Sequence, residues 1–600
     1  MGEGIQSPGV MSYKIQALII GLLAIIFYGN TYNNEYALDD EVVIVRNAYV
    51  LEGFKGIPDI LTHDAYESYF ERLGTSDHLT GGRYRPLSIV TFAIEQQLFG
   101  AVPGDKADSV ANYNMSYGMD EPYERMFLQQ MHIRHLVNVF LFALSVIVLL
   151  YFLRFVVFRQ SPLAAFIAAL IFTIHPIHTE VVANVKSRDE IMSLLFICLT
   201  FIFAFKYQEE KKIKLLIAAL VSYFLAFLCK EYAITLLFLL PLSFYLFSGK
   251  RAMGSLLATV PYLLVAVLYM FCRFSVVGLG DGAVINDIQV NPYAFASPAQ
   301  KLATEIATSL NYLKLLLAPH PLSSDYSYNQ IPYKDFSGAV VWIAILFYLS
   351  LAAGFFYFLK RRNVLSFAIA FYSCNLLMVC NIVFDIGATM GERLIYHASV
   401  GFAVAAAYFV CKGFERIAVP KRRAWVLGVF ILLVVLPSGY ETTARNKDWK
   451  NNETLYFKDI QASPNSFLLN TNVAALLVNR TDYEKDDQLR VSDLRRAIGL
   501  LNKVLGLQDT YILGYMNRGI AYYKLGDADS LMNDLDKVRS MYPAYPMLPE
   551  MYYRASGMYY DHKNFEKARS AMQVVLLMHP GDPAALKAMQ TLDTAGSAKH

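Results

Sequence analysis

The chain has 600 residues, of which 55% are hydrophobic and 17% charged, with a formal net charge of +3. A soluble chain of this length would divide into roughly four domains and carry ~25% charged residues, so a wholly soluble protein is excluded. The small positive excess gives no reason to expect a nucleic-acid partner. All six cysteines lie in or at the ends of apolar segments, which argues against a disulfide framework.

In chain order, apolar runs predict an all-α polytopic membrane protein with about eleven spans. These fall near 14–30, 134–157, 162–182, 190–207, 213–230, 232–248, 253–273, 338–359, 364–384, 394–411 and 424–440. The first is read as an uncleaved anchor, since no small-x-small cleavage site follows it. Alternate connections hold 16 basic residues: Arg154 and Arg159; Lys206, Lys211, Lys212 and Lys214; Lys250 and Arg251; Lys360, Arg361 and Arg362; Lys412, Arg416, Lys421, Arg422 and Arg423. Such short basic loops mark the cytoplasmic side, which places the N-terminus inside and the C-terminal tail outside. The segment 300–318 is expected to be interfacial or re-entrant, with Glu305 and Lys314 at the water boundary; a full crossing there would invert every later loop.

Two regions fall outside the bilayer on the non-cytoplasmic side. The outer loop 31–127 carries 16 acidic and 7 basic side chains and is too long for a simple connector. Residues 1–440 form the expected membrane domain, 441–463 a linker, and 464–600 a helical repeat domain. Tyr522-Tyr523-Lys524-Leu525-Gly526-Asp527 is echoed by Tyr559-Tyr560-Asp561-His562-Lys563-Asn564, an offset of 37 residues. That is close to the ~34-residue period of tetratricopeptide helix pairs, and about three units predict a solenoid.

Charges at a membrane edge are expensive and are functional candidates by default. Here they collect at the outer ends of the spans. Asp39 and Asp40 follow the first span; His175, His178, Glu180, Lys186 and Arg188, with Asp189 and Glu190, lie between the third and fourth. Lys230 and Glu231 join the fifth and sixth, Arg273 ends the seventh, and Glu392 and Arg393 precede the tenth. Both signs on one side suit transfer of a sugar from a lipid phosphate to a hydroxyl. That reaction needs a carboxylate base and fixed cations at the departing phosphate. The plainer alternative is that short outer turns carry charges that pair locally. Arg85 precedes Pro86, which disfavours helix at Arg85 and starts one just after it, placing a guanidinium at a helix start. His175 and His178 have a metal-like spacing, but Pro176 breaks the regular helix that would present both, and no metal or other cofactor is expected.

Several motifs resemble one family: Asp39-Asp40 after the first span, Tyr84-Arg85-Pro86-Leu87-Ser88 before Thr91-Phe92, and His175-Pro176-Ile177-His178-Thr179-Glu180. Lys230-Glu231 ahead of Thr235, Gly391-Glu392-Arg393-Leu394-Ile395-Tyr396, and Asn446-Lys447-Asp448-Trp449 follow in order. Over about residues 30–480 they resemble the transmembrane and tetratricopeptide-repeat O-mannosyltransferases, members of the GT-C membrane glycosyltransferases. The resemblance implies an inverting enzyme that moves a mannose-like sugar from a polyprenyl phosphate to Ser or Thr hydroxyls of exported proteins. It implies catalysis by the Asp39–Asp40 pair. Donor phosphate would be bound among Arg85, Lys186, Arg188, Arg273 and Arg393. Donor or acceptor would be bound by His175, His178, Glu180, Lys230, Glu231 and Glu392, with the acceptor polypeptide captured by the repeats. A shorter repeat array and an extra stretch at 101–124 depart from the family's pattern; chain compactness and the absence of a eukaryotic-style sorting signal suggest a bacterial inner-membrane relative, with its site and repeats periplasmic. A glycolipid or envelope-polymer acceptor, en bloc oligosaccharide transfer to protein, and a non-enzymatic scaffold or transporter are the alternatives. Transporters tend to carry charges near the bilayer midplane, whereas these charges lie at span ends.

Overall fold

A computed structural model describes residues 11–73, 82–100, 121–278 and 288–597. Helices account for all the regular secondary structure among the described residues. The chain forms two compact units: Met1–Ser324 with Ile331–Leu455, and Asp325–Gln330 with Tyr456–His600.

Among the described residues of the first unit, seven helices are long and apolar enough to cross a membrane. They are Tyr13–Asn33, Gln130–Val157, Val185–Glu210, Val260–Val277, Ala339–Lys360, Ala398–Glu415 and Pro420–Asp448. Pro162–Ile174 and Pro176–Ala183 form a further pair bent by 53°. Three shorter apolar helices, Ile213–Cys229, Glu231–Phe247 and Val364–Leu377, complete the set. Each expected span coincides with one of these elements, although the short helices do not reach full crossing length. The bend at His175 has a local cause. Pro176 has no N–H to donate and pushes its predecessor towards extended geometry, and His175 sits at φ −71°, ψ 122°.

The 300–318 segment is the helix Pro298–Leu317, opened by Ser297 and Gln300 in a reciprocal capping box. It falls short of the apolar character of a crossing helix. It packs on Ala339–Lys360 through Ala303, Ala307 and Val341.

The described part of the expected outer loop is a set of short helices sharing one apolar cluster with Met131 and Val185 from later elements. Helices Ala48–Leu51, Ile57–Thr62, Glu67–Leu73 and Pro86–Phe99 gather around Tyr36, Ile44, Val50, Ile60, Ile89 and Phe92. Most of the extra stretch at 101–124 lies outside the described residues.

The expected linker at 441–463 is not a linker. Pro420–Asp448 stays helical through most of its first part, and Trp449 is fully buried in the first unit with Ala37, Ala183 and Leu455. The second unit begins inside the next helix, Asn452–Ala462. An indole of this size sinks into an available core rather than spacing two bodies apart.

In the second unit, Phe467–Arg480 pairs with Asp487–Leu507, Ile512–Leu525 with Ala528–Met541, and Leu548–Asp561 with Phe565–Met578. Each pair stacks on the next, and Pro583–Ser597 follows the last. The echoed motif explains itself at this level. Gly526 and Lys563 occupy the same left-handed turn, at φ 81° and 59°. The residues that follow, Asp527 and Asn564, both cap the next helix by accepting from a backbone N–H. Glycine adopts this conformation freely, but a lysine is strained by ~1 kcal/mol. Lys563→Gly should therefore raise stability by ~1 kcal/mol, and Gly526→Ala, whose added methyl would meet open space, should lower it similarly. Thermal unfolding of the repeat transition in the full chain checks both signs.

Candidate functional site

The chain leaves the first helix and turns at Leu38, which adopts φ 52°. The turn is closed by Asp40, whose carboxylate accepts from the N–H of Ala37 (3.1 Å) and of Lys186 (2.6 Å). Asn184 donates to the carbonyl of Ala37 at 2.9 Å, so the acidic turn and the 184–188 turn are stitched together twice. The two adjacent carboxylates consequently diverge. Asp40 is fully buried, while the Asp39 side chain is 34% exposed, with Arg393 Nη2 at 3.4 Å and Lys186 Nζ at 3.6 Å.

Their protonation behaviour diverges as well. Burial alone would raise Asp39, but Arg393 and Lys186 outweigh it and hold the carboxyl below the usual range. Burial pushes Asp40 up to about 7, although the backbone N–H groups of Ala37 and Lys186 favour its anion. Neighbouring groups with separated pKa values suit different tasks.

Behind this pair runs a chain of ion pairs. Arg393 is anchored by Glu180, which faces its Nη1 at 3.2 Å and accepts its backbone N–H at 2.8 Å. Lys186 reaches Asp189 at 3.9 Å, and Asp189 also faces Arg85 (3.2 Å) and Lys230 (3.6 Å). Lys230 pairs closely with Glu190, whose other oxygen faces His397 Nδ1 at 3.1 Å. Tyr232 stacks on that imidazole, with ring centres 4.2 Å apart. Glu231 bridges Arg85 (3.0 Å) and Arg273 (3.2 Å), and Arg273 also donates to the carbonyl of Gly82. Arg85 occupies the N-cap of helix Pro86–Phe99, as its position before Pro86 predicts. A cation at that positive helix end is disfavoured by ~0.3–1 kcal/mol, which Asp189 and Glu231 offset.

The other expected residues sit differently. Arg188 has no solvent exposure; its guanidinium donates to Asn138 (2.6 Å), Glu95 (2.5 Å), Thr91 (2.9 Å) and the carbonyl of Arg134 (3.2 Å), with Phe92 stacked on it. Every arm of the fork is occupied by protein, so it locks the outer loop to the helices rather than meeting a phosphate. His175 is buried against the carbonyl of Leu316 and His178 against the Ser399 hydroxyl, both at 2.9 Å, and neither ring faces solvent. Glu392 is buried and accepts from the N–H of Ser323 at 2.6 Å. Glu180 and Lys230 are buried too, and act through Arg393, Asp189 and Glu190. Arg85, Arg273, Glu231, Arg393 and Asp39 are the partly exposed members. Among the described residues, no group of three His, Cys, Asp or Glu side chains is arranged to hold a metal ion.

Sequence reasoning missed a clasp made by 446–452. Asn446 donates to the carbonyl of Phe27 (2.8 Å) and to Asn30 Oδ1 (2.6 Å), and accepts from Asn34 at its own carbonyl (2.9 Å). Asn451 reaches Glu35 at 3.2 Å, and Asn452 accepts the N–H of Leu38 at 2.8 Å. The available signal was the run of asparagines, since a buried amide needs partners and finds them in a turn without regular bonding.

These features define a polytopic, all-α membrane protein with a paired ionic cluster at one end of its helices. The family described as dolichyl-phosphate-mannose-protein mannosyltransferase matches residues 130–277. The chain is 25% identical over 525 residues to protein O-mannosyl-transferase TMTC4 of Mus musculus, covering 79% of this chain and 65% of that protein. It is 24% identical over 508 residues to TMTC3 of Mus musculus (79% and 50% covered) and 25% identical over 496 residues to TMTC1 of Homo sapiens (75% and 51%). The chain thus spans between half and about two thirds of the length of these relatives. No solved structure matches it. The chain is thus similar to these O-mannosyl-transferases over three quarters or more of its length, and to the mannosyltransferase family over residues 130–277.

Asn446→Ala strips buried partners from Phe27 and Asn30 and should lower stability by about 2 kcal/mol. Amide hydrogen exchange should accelerate in 34–40 while 512–578 is unchanged. Equal acceleration in both segments would show a general loss of folding instead.

Proposed function

We propose that the protein is an inverting glycosyltransferase that moves mannose from a polyprenyl phosphate to Ser or Thr hydroxyls of proteins. The observation that carries this reading is Asp39, a partly exposed carboxylate held ionised by Arg393 and Lys186 beside buried Asp40. The names of the relatives support the substrate class.

In an inverting displacement the hydroxyl and the leaving phosphate occupy opposite faces of the anomeric carbon. The base and the phosphate cations must therefore be different groups. Asp39 accepts the hydroxyl proton as general base. Arg393 and Lys186 keep it charged and oriented, and Asp40 fixes the turn that carries it. Arg85 and Arg273, the partly exposed pair shared by Glu231, stabilise charge growing on the phosphate oxygen. No divalent metal is required in this arrangement. The site lies on the non-cytoplasmic side, consistent with the basic loops at the opposite helix ends.

The second unit is read as a tetratricopeptide solenoid that binds the acceptor polypeptide. A cavity of about 470 Å³ there is lined by Thr481, Asp482, Tyr523, Lys524, Met558 and His562 among others. Tyr523→Ala with His562→Ala should raise the acceptor KM several-fold and leave donor KM unchanged.

The reading is tested by offering the purified protein a panel of polyprenyl-phosphate sugars with an acceptor protein, with and without chelator. Mannose transfer that survives chelation is expected; transfer only to a lipid or polymer would replace the acceptor assignment, and no turnover of any donor would remove it.

The pH profile gives a further check. Asp39 has a lowered pKa, so its base form persists above that value and is lost as pH falls through it. The acid limb of kcat/KM should lie below the usual Asp value of ~3.9. Arg393→Met removes the leading cation and should move that limb upward in pH.

A further inference from the structure

At the ends of the helices remote from the ionic cluster lies a second polar feature, which the proposed reaction does not use. Asp189 and Lys206 share one helix and are separated by 17 residues, about 26 Å along its axis. Beside Lys206 is a cavity of about 400 Å³, whose lining includes Tyr151, Arg154, Phe155, Arg159, Phe205 and Glu209.

Its charges are unbalanced. Arg159 is neutralised by Glu209 at 2.7 Å, and both side chains are exposed. Among the described residues Arg154 meets no carboxylate and donates to Gln16 Oε1 at 2.8 Å. Lys206 lies over the Tyr151 ring, 5.2 Å from its centre, and makes no ion pair among the described residues. Among the described residues, Arg154 and Lys206 thus flank one cavity with no carboxylate in ion-pair contact, Glu210 acting on Lys206 only from one turn further along the helix, whereas the cations of the ionic cluster each meet a carboxylate directly.

The backbone is specialised here too. Leu153–Val157 is a π-helical turn at the end of the long helix, and it carries Arg154 and Phe155 into the cavity wall. Such turns insert an extra residue into a helix and recur at functional sites. Phe155 is 43% exposed, and Tyr13 and Tyr151 pack on its ring. The cavity thus joins cations and interfacial aromatics at the end of apolar helices. That combination suits a phosphate group whose acyl chains continue along the apolar surface.

We propose that this cavity binds the phosphate headgroup of an anionic lipid, with Arg154 and Lys206 as its ligands. The shared chemistry is a phosphate anion; a free anion is the competing source. Cations acting only as general surface charge would lose retention equally whichever of them is removed.

The test uses the full chain in phosphatidylcholine nanodiscs containing a graded fraction of phosphatidylglycerol, with retained lipid counted by native mass spectrometry. Wild type should retain phosphatidylglycerol, and R154Q/K206Q should bind it about thirty-fold more weakly, at ~1 kcal/mol per cation. R159Q, whose charge is already neutralised, should retain it. Equal retention by wild type and R154Q/K206Q overturns the site, and equal loss in R159Q reduces the effect to general surface charge and also overturns it. Inorganic phosphate is the second arm. If it raises the Tm of wild type but not of R154Q/K206Q, while phosphatidylglycerol is not retained, the occupant is a free anion and the lipid assignment fails.

Discussion

Asp189 faces Arg85, Lys186 and Lys230 at once, and much of the first unit is arranged around that convergence. A charge taken out of water costs several kcal/mol unless partners restore the lost solvation. Asp189 is buried away from water, so its charge must be answered by side chains of other elements. Arg85 comes from the outer loop, Lys230 from the connection between two short helices, and Lys186 from the turn that also holds Asp40. Satisfying one carboxylate therefore ties two segments distant in sequence to the turn just before Asp189. Glu180 with Arg393 and Glu231 with Arg273 extend the same logic outward to the surface.

This network separates two roles that the sequence leaves merged in Asp39-Asp40. Asp40 turns inward and spends its oxygens on backbone N–H groups, whereas Asp39 turns outward between two cations. The turn at Leu38 and the asparagine clasp at 446–452 create that difference. In the proposed reaction the buried residue sets geometry and the exposed one does chemistry. Separating the cations that orient the base from those that meet the phosphate also gives each guanidinium a single task.

Much of this was legible in the sequence. Long apolar runs located the helices because bilayer thickness imposes a length, and proline placed the bend at His175 and the start of the helix after Arg85. The repeat was legible from the Tyr-Tyr echo, whose left-handed turn and cap recur even where Lys563 replaces glycine. Other features were not. Asp189 and Glu190 read as ordinary edge charges because their cations lie 40 or more residues away along the chain, apart from Lys186 beside them. Arg188 read as a phosphate ligand because composition cannot reveal that Glu95, Asn138 and Thr91 already fill its fork. His175 and His178 read as binding residues because their partners, Leu316 and Ser399, come from distant helices. The linker reading failed at Trp449, since a hydrophobic residue in a polar stretch gives no sign of which core receives it.

The central claim is that Asp39, rather than Asp40, is the group that takes the proton. The most direct measurement is to determine donor affinity and transfer rate separately for Asp39→Asn and Asp40→Asn in the purified full-length protein. A general base contributes ~10²–10⁴-fold to rate. Asp39→Asn should therefore bind polyprenyl-phosphate mannose as wild type does and lose transfer by that order, with its melting temperature unchanged. Asp40→Asn should lose stability first. Transfer within tenfold of wild type by Asp39→Asn, with full loss in a folded Asp40→Asn protein, would contradict the account.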